Sequence, residues 1–120
     1  MIKSFEDIES WKQSRLFNQL IYDATNNFKF DKDNDLRRQI RRASVSISSN
    51  IAEGFERNTD KEFIHFLYIA KASAGEIRSQ LYLSYDLKYI SENDFNELKS
   101  KVIEISKTIS GLIKYLKNSI

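Results

Sequence analysis

The sequence predicts an all-α protein, an antiparallel up-down-up-down four-helix bundle in one domain spanning residues 1–120. Three observations lead there. Proline is absent and only Gly54, Gly75 and Gly111 are glycine, so the turn residues that strands need are nearly missing. Polar, Asp- and Asn-rich breaks fall in "FKFDKDND", "ERNTDKEF" and "YISENDF". Between those breaks, apolar residues recur at alternating steps of three and four, which is the period of a helix with one buried face.

The first helix is expected over about residues 6–28, with Phe17, Ile21, Ala24 and Phe28 as its stripe and Phe5, Ile8 and Trp11 crowded at its start. The second, about 34–57, poses a choice. Ser44-Val45-Ser46-Ile47-Ser48 alternates like a strand, but Leu36, Ile40, Ala43, Ile47, Ile51 and Gly54 share one helical sector, and only the helix accounts for the whole segment. The third, about 60–88, opens on Thr59-x-x-Glu62, a capping box, and carries Phe63, Leu67, Ala70, Ala74, Ile77, Leu81 and Tyr85. The fourth, about 92–117, opens on the weaker Ser91-x-x-Asp94 and carries Phe95, Leu98, Val102, Ile105, Ile109, Leu112 and Leu116. Gly75 and Gly111 lie inside helical patterns, where close helix approach is the expected reason for them.

Composition narrows the function classes. With 30% charged and 41% hydrophobic residues the chain has the make-up of a soluble globular protein. No cysteine is present, which excludes disulfides and thiolate metal sites. No apolar run is long enough to span a bilayer and no signal segment opens the chain, so a cytoplasmic location without membrane contact is expected. The formal net charge is only +2, but it is uneven: residues 1–35 hold five basic and seven acidic side chains, residues 36–57 five basic and two acidic.

That local charge is a ridge. Arg37 and Arg41, and Arg38 and Arg42, repeat at i, i+4 on the second helix, and guanidinium forks suit phosphate oxygens. The competing readings are ion pairs with acids on neighbouring helices or subunits, or a solvated face. With no aromatic interleaving in the segment, any nucleic acid, RNA or DNA, should be held by its backbone in a salt-sensitive way. Val45 and Ala52 lie nearly opposite the core sector, beside Ser48 and Ser49, so Val45, Ser48, Ser49 and Ala52 form the expected oligomer interface. Large aromatics expected to be exposed (Phe55, Phe66, Tyr68, Tyr82, Tyr89) also argue for self-association, because so short a bundle cannot bury all fourteen Phe and Tyr residues. The tyrosines of the third helix read as core and interface fillers rather than base-stacking platforms.

Asn50, Glu53, Ser73, Glu76 and Gln80 flank the apolar stripes of the middle helices and are expected to form a buried polar network that fixes register. The alternative use of Glu53 and Glu76 as a metal-binding or acid–base pair is disfavoured, since a di-iron bundle takes a Glu-x-x-His motif from each of two helices and His65, which follows Glu62 in the one such motif, is the single histidine. No phosphate-binding loop, Ser–His–acid set or nucleophile elbow is present. A non-enzymatic protein without cofactor or metal is expected.

"LRRQIRRASVSISSNIAEG" followed by "EFIHFLYIAKASAGEIRSQLYLSYDLKYI" resembles the four-helix-bundle family of the 23S rRNA intervening-sequence protein, to which the accessory protein of diversity-generating retroelements is related. Ser49-Asn50-Ile51-Ala52-Glu53-Gly54 is the most specific part of the match. Ser48 stands where that family commonly has proline, Ala72 where it has glycine, and Arg78 where it has an acidic residue. The resemblance implies a bundle that assembles into a ring, a homopentamer in known relatives, and that binds RNA, DNA or a nucleic-acid-handling protein. The alternative is a purely structural protein–protein module whose arginines make inter-subunit salt bridges.

Overall fold

The computed structural model describes residues 2–119, and they form a rod of 47 × 21 × 19 Å built on four helices. These are α1 (Glu9–Thr25), α2 (Asn34–Phe55), α3 (Asp60–Asp86) and α4 (Glu92–Asn118), with short 3-10 turns at Phe5–Asp7 and Phe28–Phe30. Each helix packs on its neighbour in the chain, and α4 returns against α1 to close the bundle. A helix of 27 residues is about 40 Å long by the rise of 1.5 Å per residue, so α3 and α4 set the length of the rod.

The core is the set of predicted stripes with a few exchanges. Ile40, Ile47 and Ile51 of α2, Leu67, Ala70 and Ile77 of α3, and Val102, Ile105 and Ile109 of α4 are all buried. The alternation at Ser44–Ser48 is helical, and α2 runs unbroken through it. On α4, Ile113 takes the buried position expected of Leu112, which is only half-buried.

The first helix is shorter than its expected 6–28. Ile8 is extended and buried, so it separates a 3-10 turn from α1 rather than lying within it. At the other end Asn26 leaves the helical region, and Asn27 accepts a bond from the backbone N–H of Lys29 to start the second 3-10 turn. That turn carries Phe28 out to solvent, 77% exposed, and puts Phe30 into the core in its place.

Polar caps start the other helices. Asp33 Oδ1, Thr59 Oγ1 and Ser91 Oγ accept from the backbone N–H of Leu36, Glu62 and Asp94 at 3.2, 3.2 and 3.1 Å. The Thr59 box is half-made: the Glu62 carboxylate lies 3.5 Å from the Thr59 hydroxyl instead of reaching back to the backbone. Gly75 and Gly111 correct the expectation of close approach, since nothing lies within 4 Å of where their Cβ atoms would stand, while Gly54 is tightly covered by α3. The large aromatics are less exposed than expected. Phe55 and Phe66 are half-buried and Tyr89 is buried, leaving Tyr68 and Tyr82 as the exposed members of that set.

α3 ends in a Schellman motif. Lys88 N–H donates to Tyr85 O and Tyr89 N–H to Ser84 O, at 2.9 and 2.8 Å, with Lys88 at φ 64°. The motif delivers Tyr89 against Phe30 and its hydroxyl onto Asp33 Oδ2 at 3.2 Å. Burial raises the Tyr89 phenol above its ordinary pKa, and the hydrogen bond to Asp33 and its charge push the same way. A left-handed lysine is strained where glycine is not. Lys88→Gly is therefore expected to raise stability by about 0.5–1 kcal/mol, read as a melting temperature higher by about 2–4 °C.

Candidate nucleic-acid interface

The run of small polar residues on α2 serves three directions. Ser44 and Ser48 face α1, where Ser44 Oγ donates to Asn18 Oδ1 at 2.7 Å and Asn18 Nδ2 donates to Ser48 Oγ at 3.1 Å. Ser46 and Asn50 face α3: Asn50 Nδ2 donates to Ser46 O and Oγ, and Ser73 Oγ donates to Ser46 Oγ at 3.0 Å. Ser49 faces outward and is exposed. Ser48, one of the four residues of the expected oligomer interface, is half-buried and bonded within the protomer. Of the remaining interface set, Val45 is 40% exposed and Ala52 half-buried, both on the outer side.

The predicted polar network divides along the same line. Asn50 and Ser73 belong to it, joined by Ser46. Glu53 does not; it is exposed and 3.8 Å from Arg57. Glu76 is exposed and accepts from Gln80 Nε2 at 3.2 Å, so that pair is local to α3, and Gln80 Oε1 is buried without a partner. A step of three residues turns a helix by about 60° short of a full circle, enough to move Glu53 from the Asn50 seam into solvent. Among the described residues no group of three or more His, Asp or Glu side chains is placed to hold a metal, and no helix is long and apolar enough to cross a membrane.

The arginine ridge also splits in two. Arg37 turns inward, its side chain only 16% exposed. Its Nε donates to Thr25 O at 3.0 Å, Nη2 to Asn27 O at 3.1 Å and Asp31 Oδ1 at 2.7 Å, and Nη1 to Asn34 Oδ1 at 3.0 Å. It is a clamp on the end of α1, not a phosphate ligand. Arg41 is half-committed: Nε donates to Thr25 Oγ1 at 2.9 Å, Nη2 to Tyr22 O at 3.3 Å, and the guanidinium lies 4.4 Å from the Tyr22 ring centroid. Arg38 holds only an exposed pair with Asp35, a contact worth little in water. Arg42 makes no ion pair or hydrogen bond among the described residues and is exposed.

Arg38, Arg41 and Arg42 therefore meet Tyr22, Val45, Ser46 and Ser49 around a shallow depression with no acidic side chain in its lining. Tyr22 supplies the aromatic that the α2 sequence lacks. Its place was obscured because it stands 19 residues from Arg41 in the chain; the only sequence signal was that Asn18, Tyr22 and Thr25 step along one flank of α1.

A family model described as 23S rRNA-intervening sequence protein matches residues 6–111. The chain is also similar to a crystal structure of a protein with unknown function from the S23 ribosomal protein family of Bacteroides thetaiotaomicron. The two share 25% identity and a TM-score of 0.79 over 88% of this chain and 98% of that one. A search of curated protein sequences found no match.

Proposed function

The chain belongs to the 23S rRNA-intervening sequence protein family, and from that premise we propose that it is a non-enzymatic, self-associating helical scaffold that holds a nucleic-acid phosphate backbone on the outer face of α2. The observation that carries the reading is the acid-free depression of Arg38, Arg41 and Arg42. Guanidinium groups that have few intramolecular acceptors keep donors for phosphate oxygens. The face is graded along its length. Cations occupy the first turns of α2, while the smaller Val45, Ser49 and Ala52 follow and suit close approach of a second copy.

Two or three arginines bind a polyanion weakly, so the mechanism depends on copy number. A closed ring, of five copies in this reading, repeats the depression and turns weak contacts into a strong one through effective concentration. Recognition is then by charge and spacing rather than by base.

Arg38→Ala/Arg42→Ala is expected to weaken binding of a labelled RNA by at least about 10-fold and to flatten its salt dependence by about 1.4–1.8 in log–log slope, two phosphate contacts being lost. Light scattering on the same samples should find the oligomer unchanged. An unaltered affinity and slope would remove the depression from the reading. The competing function, a structural module with arginines bridging subunits, has support in the ease with which Arg38 takes a carboxylate, Asp35 at 2.7 Å. It predicts the reverse result, an oligomer that falls apart in the double variant.

A further inference from the structure

A second cationic surface lies on the seam between α3 and α4, apart from the α2 depression. Two cross-helix hydrogen bonds and one shared hollow mark the register of the two helices there. Lys117 Nζ donates to Tyr68 Oη at 2.8 Å, Lys99 Nζ to Tyr82 Oη at 3.5 Å, and Lys71 shares a hollow with Ser110 and Lys114. On α3, Tyr68, Lys71, Gly75, Arg78 and Tyr82 advance by three and four along a single flank. On α4, Lys107 precedes Lys114 by two turns on the facing edge.

Acid is absent from both rows. Between Phe63 and Tyr85 the only acidic residue of α3 is Glu76, which pairs with Gln80 on the flank that Ser73 presents to α2. Between Leu98 and Asn118 the only one of α4 is Glu104, which lines a crevice against α1. Like charge along this stretch of the seam, which ends one turn short of Asp86, disfavours contact with another copy of itself and favours a polyanion.

The tyrosines make that preference more specific. Tyr68 and Tyr82 are 45% and 48% exposed, far more than core fillers would be, and stand about 21 Å apart along the helix. Each ring has a lysine ammonium near one face, at 5.2 and 5.4 Å from the centroid, which fixes its orientation. Between them Gly75 leaves open space down to the α3 backbone. We propose that this seam is a track for single-stranded nucleic acid, with the lysines and Arg78 on phosphates and bases stacked on Tyr68 and Tyr82. A duplex satisfies the cations but offers no free base faces, whereas stacking on aromatic rings is how single strands are held without regard to sequence.

The test is fluorescence anisotropy on the full chain with labelled oligo-deoxythymidine and with a duplex of the same length. Tyr68→Leu/Tyr82→Leu is expected to weaken single-strand binding by about 10-fold or more and duplex binding by less than about 2-fold. Tyr68→Phe/Tyr82→Phe, which keeps the rings, should retain binding. Lys71→Glu/Lys114→Glu should weaken both probes and lower the single-strand salt slope by about 1.4. Its side chains are exposed, so it carries the test even where a leucine variant melts early. Single-strand binding that ignores both the tyrosine and the lysine variants would overturn the proposal, as would equal loss for strand and duplex in the leucine variant. Displacement of the oligonucleotide by polyglutamate at equal charge would also overturn it, and would assign the seam to an acidic protein segment.

Discussion

Replacing Arg37 by alanine is expected to destabilise the protein by about 2–4 kcal/mol, a fall in melting temperature of roughly 8–15 °C for a chain of this size. The size of the loss follows from what the guanidinium joins. α1 stops at Thr25, and the chain must turn through Asn26 and Asn27 before Phe30 can enter the core. Stopping a helix leaves backbone carbonyls without amide partners. Arg37 reaches back from α2 to satisfy Thr25 O and Asn27 O, and draws in Asp31 and Asn34 with its remaining donors. One planar fork thus ties α1, the connecting turn and α2 together. Lysine brings the charge but has no rigid fork, so Arg37→Lys should recover only a minor part of the loss. Arg42→Ala, at an exposed position, should change stability by less than about 0.5 kcal/mol. Equal melting curves for the two alanine variants would refute the clamp. The same contrast warns against testing nucleic-acid binding with Arg37, because a loss there would report unfolding.

Arg37 also illustrates where the sequence stops being informative. Spacing placed all four arginines of α2 on the helix surface, and the stripes of α2, α3 and α4 agree with their buried faces almost residue for residue. Helical period decides which sector a residue occupies, and that much is local. It does not decide what stands opposite. Whether Arg37 meets water or a carbonyl depends on how α1 ends, and that end is set by Asn27 and Thr25 bonding to nearby backbone, a choice that propensity does not reveal. The cationic seam was illegible for the same reason. Lys71 and Lys114 are 43 residues apart and become neighbours only through the antiparallel register of α3 and α4. The polar positions were the hardest to place, because rows one step apart on a helix divide buried Ser73 from exposed Glu76.

Gly54→Ala is expected to destabilise by about 2 kcal/mol, roughly 8 °C in melting temperature, although alanine is the better helix former by about 1 kcal/mol. An added Cβ at Gly54 would stand 2.7 Å from Cβ of Phe66, 3.0 Å from Cδ1 of Phe63 and 3.3 Å from Phe63 O. A ring carbon can swing aside, but the Phe66 Cβ is fixed to the α3 backbone, so relief requires α2 and α3 to part. Only a short connection, residues 56–59, joins them at that end, and it carries the Thr59 cap of α3. Separation would therefore disturb the cap and the edge contact of Phe55 with Phe63 as well. Gly75→Ala and Gly111→Ala are the controls, since at both sites the new methyl meets open space. Each should stabilise by about 0.5–1 kcal/mol, by helix propensity and a less flexible unfolded chain. One substitution type thus predicts opposite signs within one protein, and thermal or urea unfolding of the three variants checks it. A stabilising Gly54→Ala would mean that α2 and α3 do not approach as closely as their backbones indicate. The serine hydroxyl bridge from Ser46 to Ser73, which needs the same closeness further along, would then lose its basis.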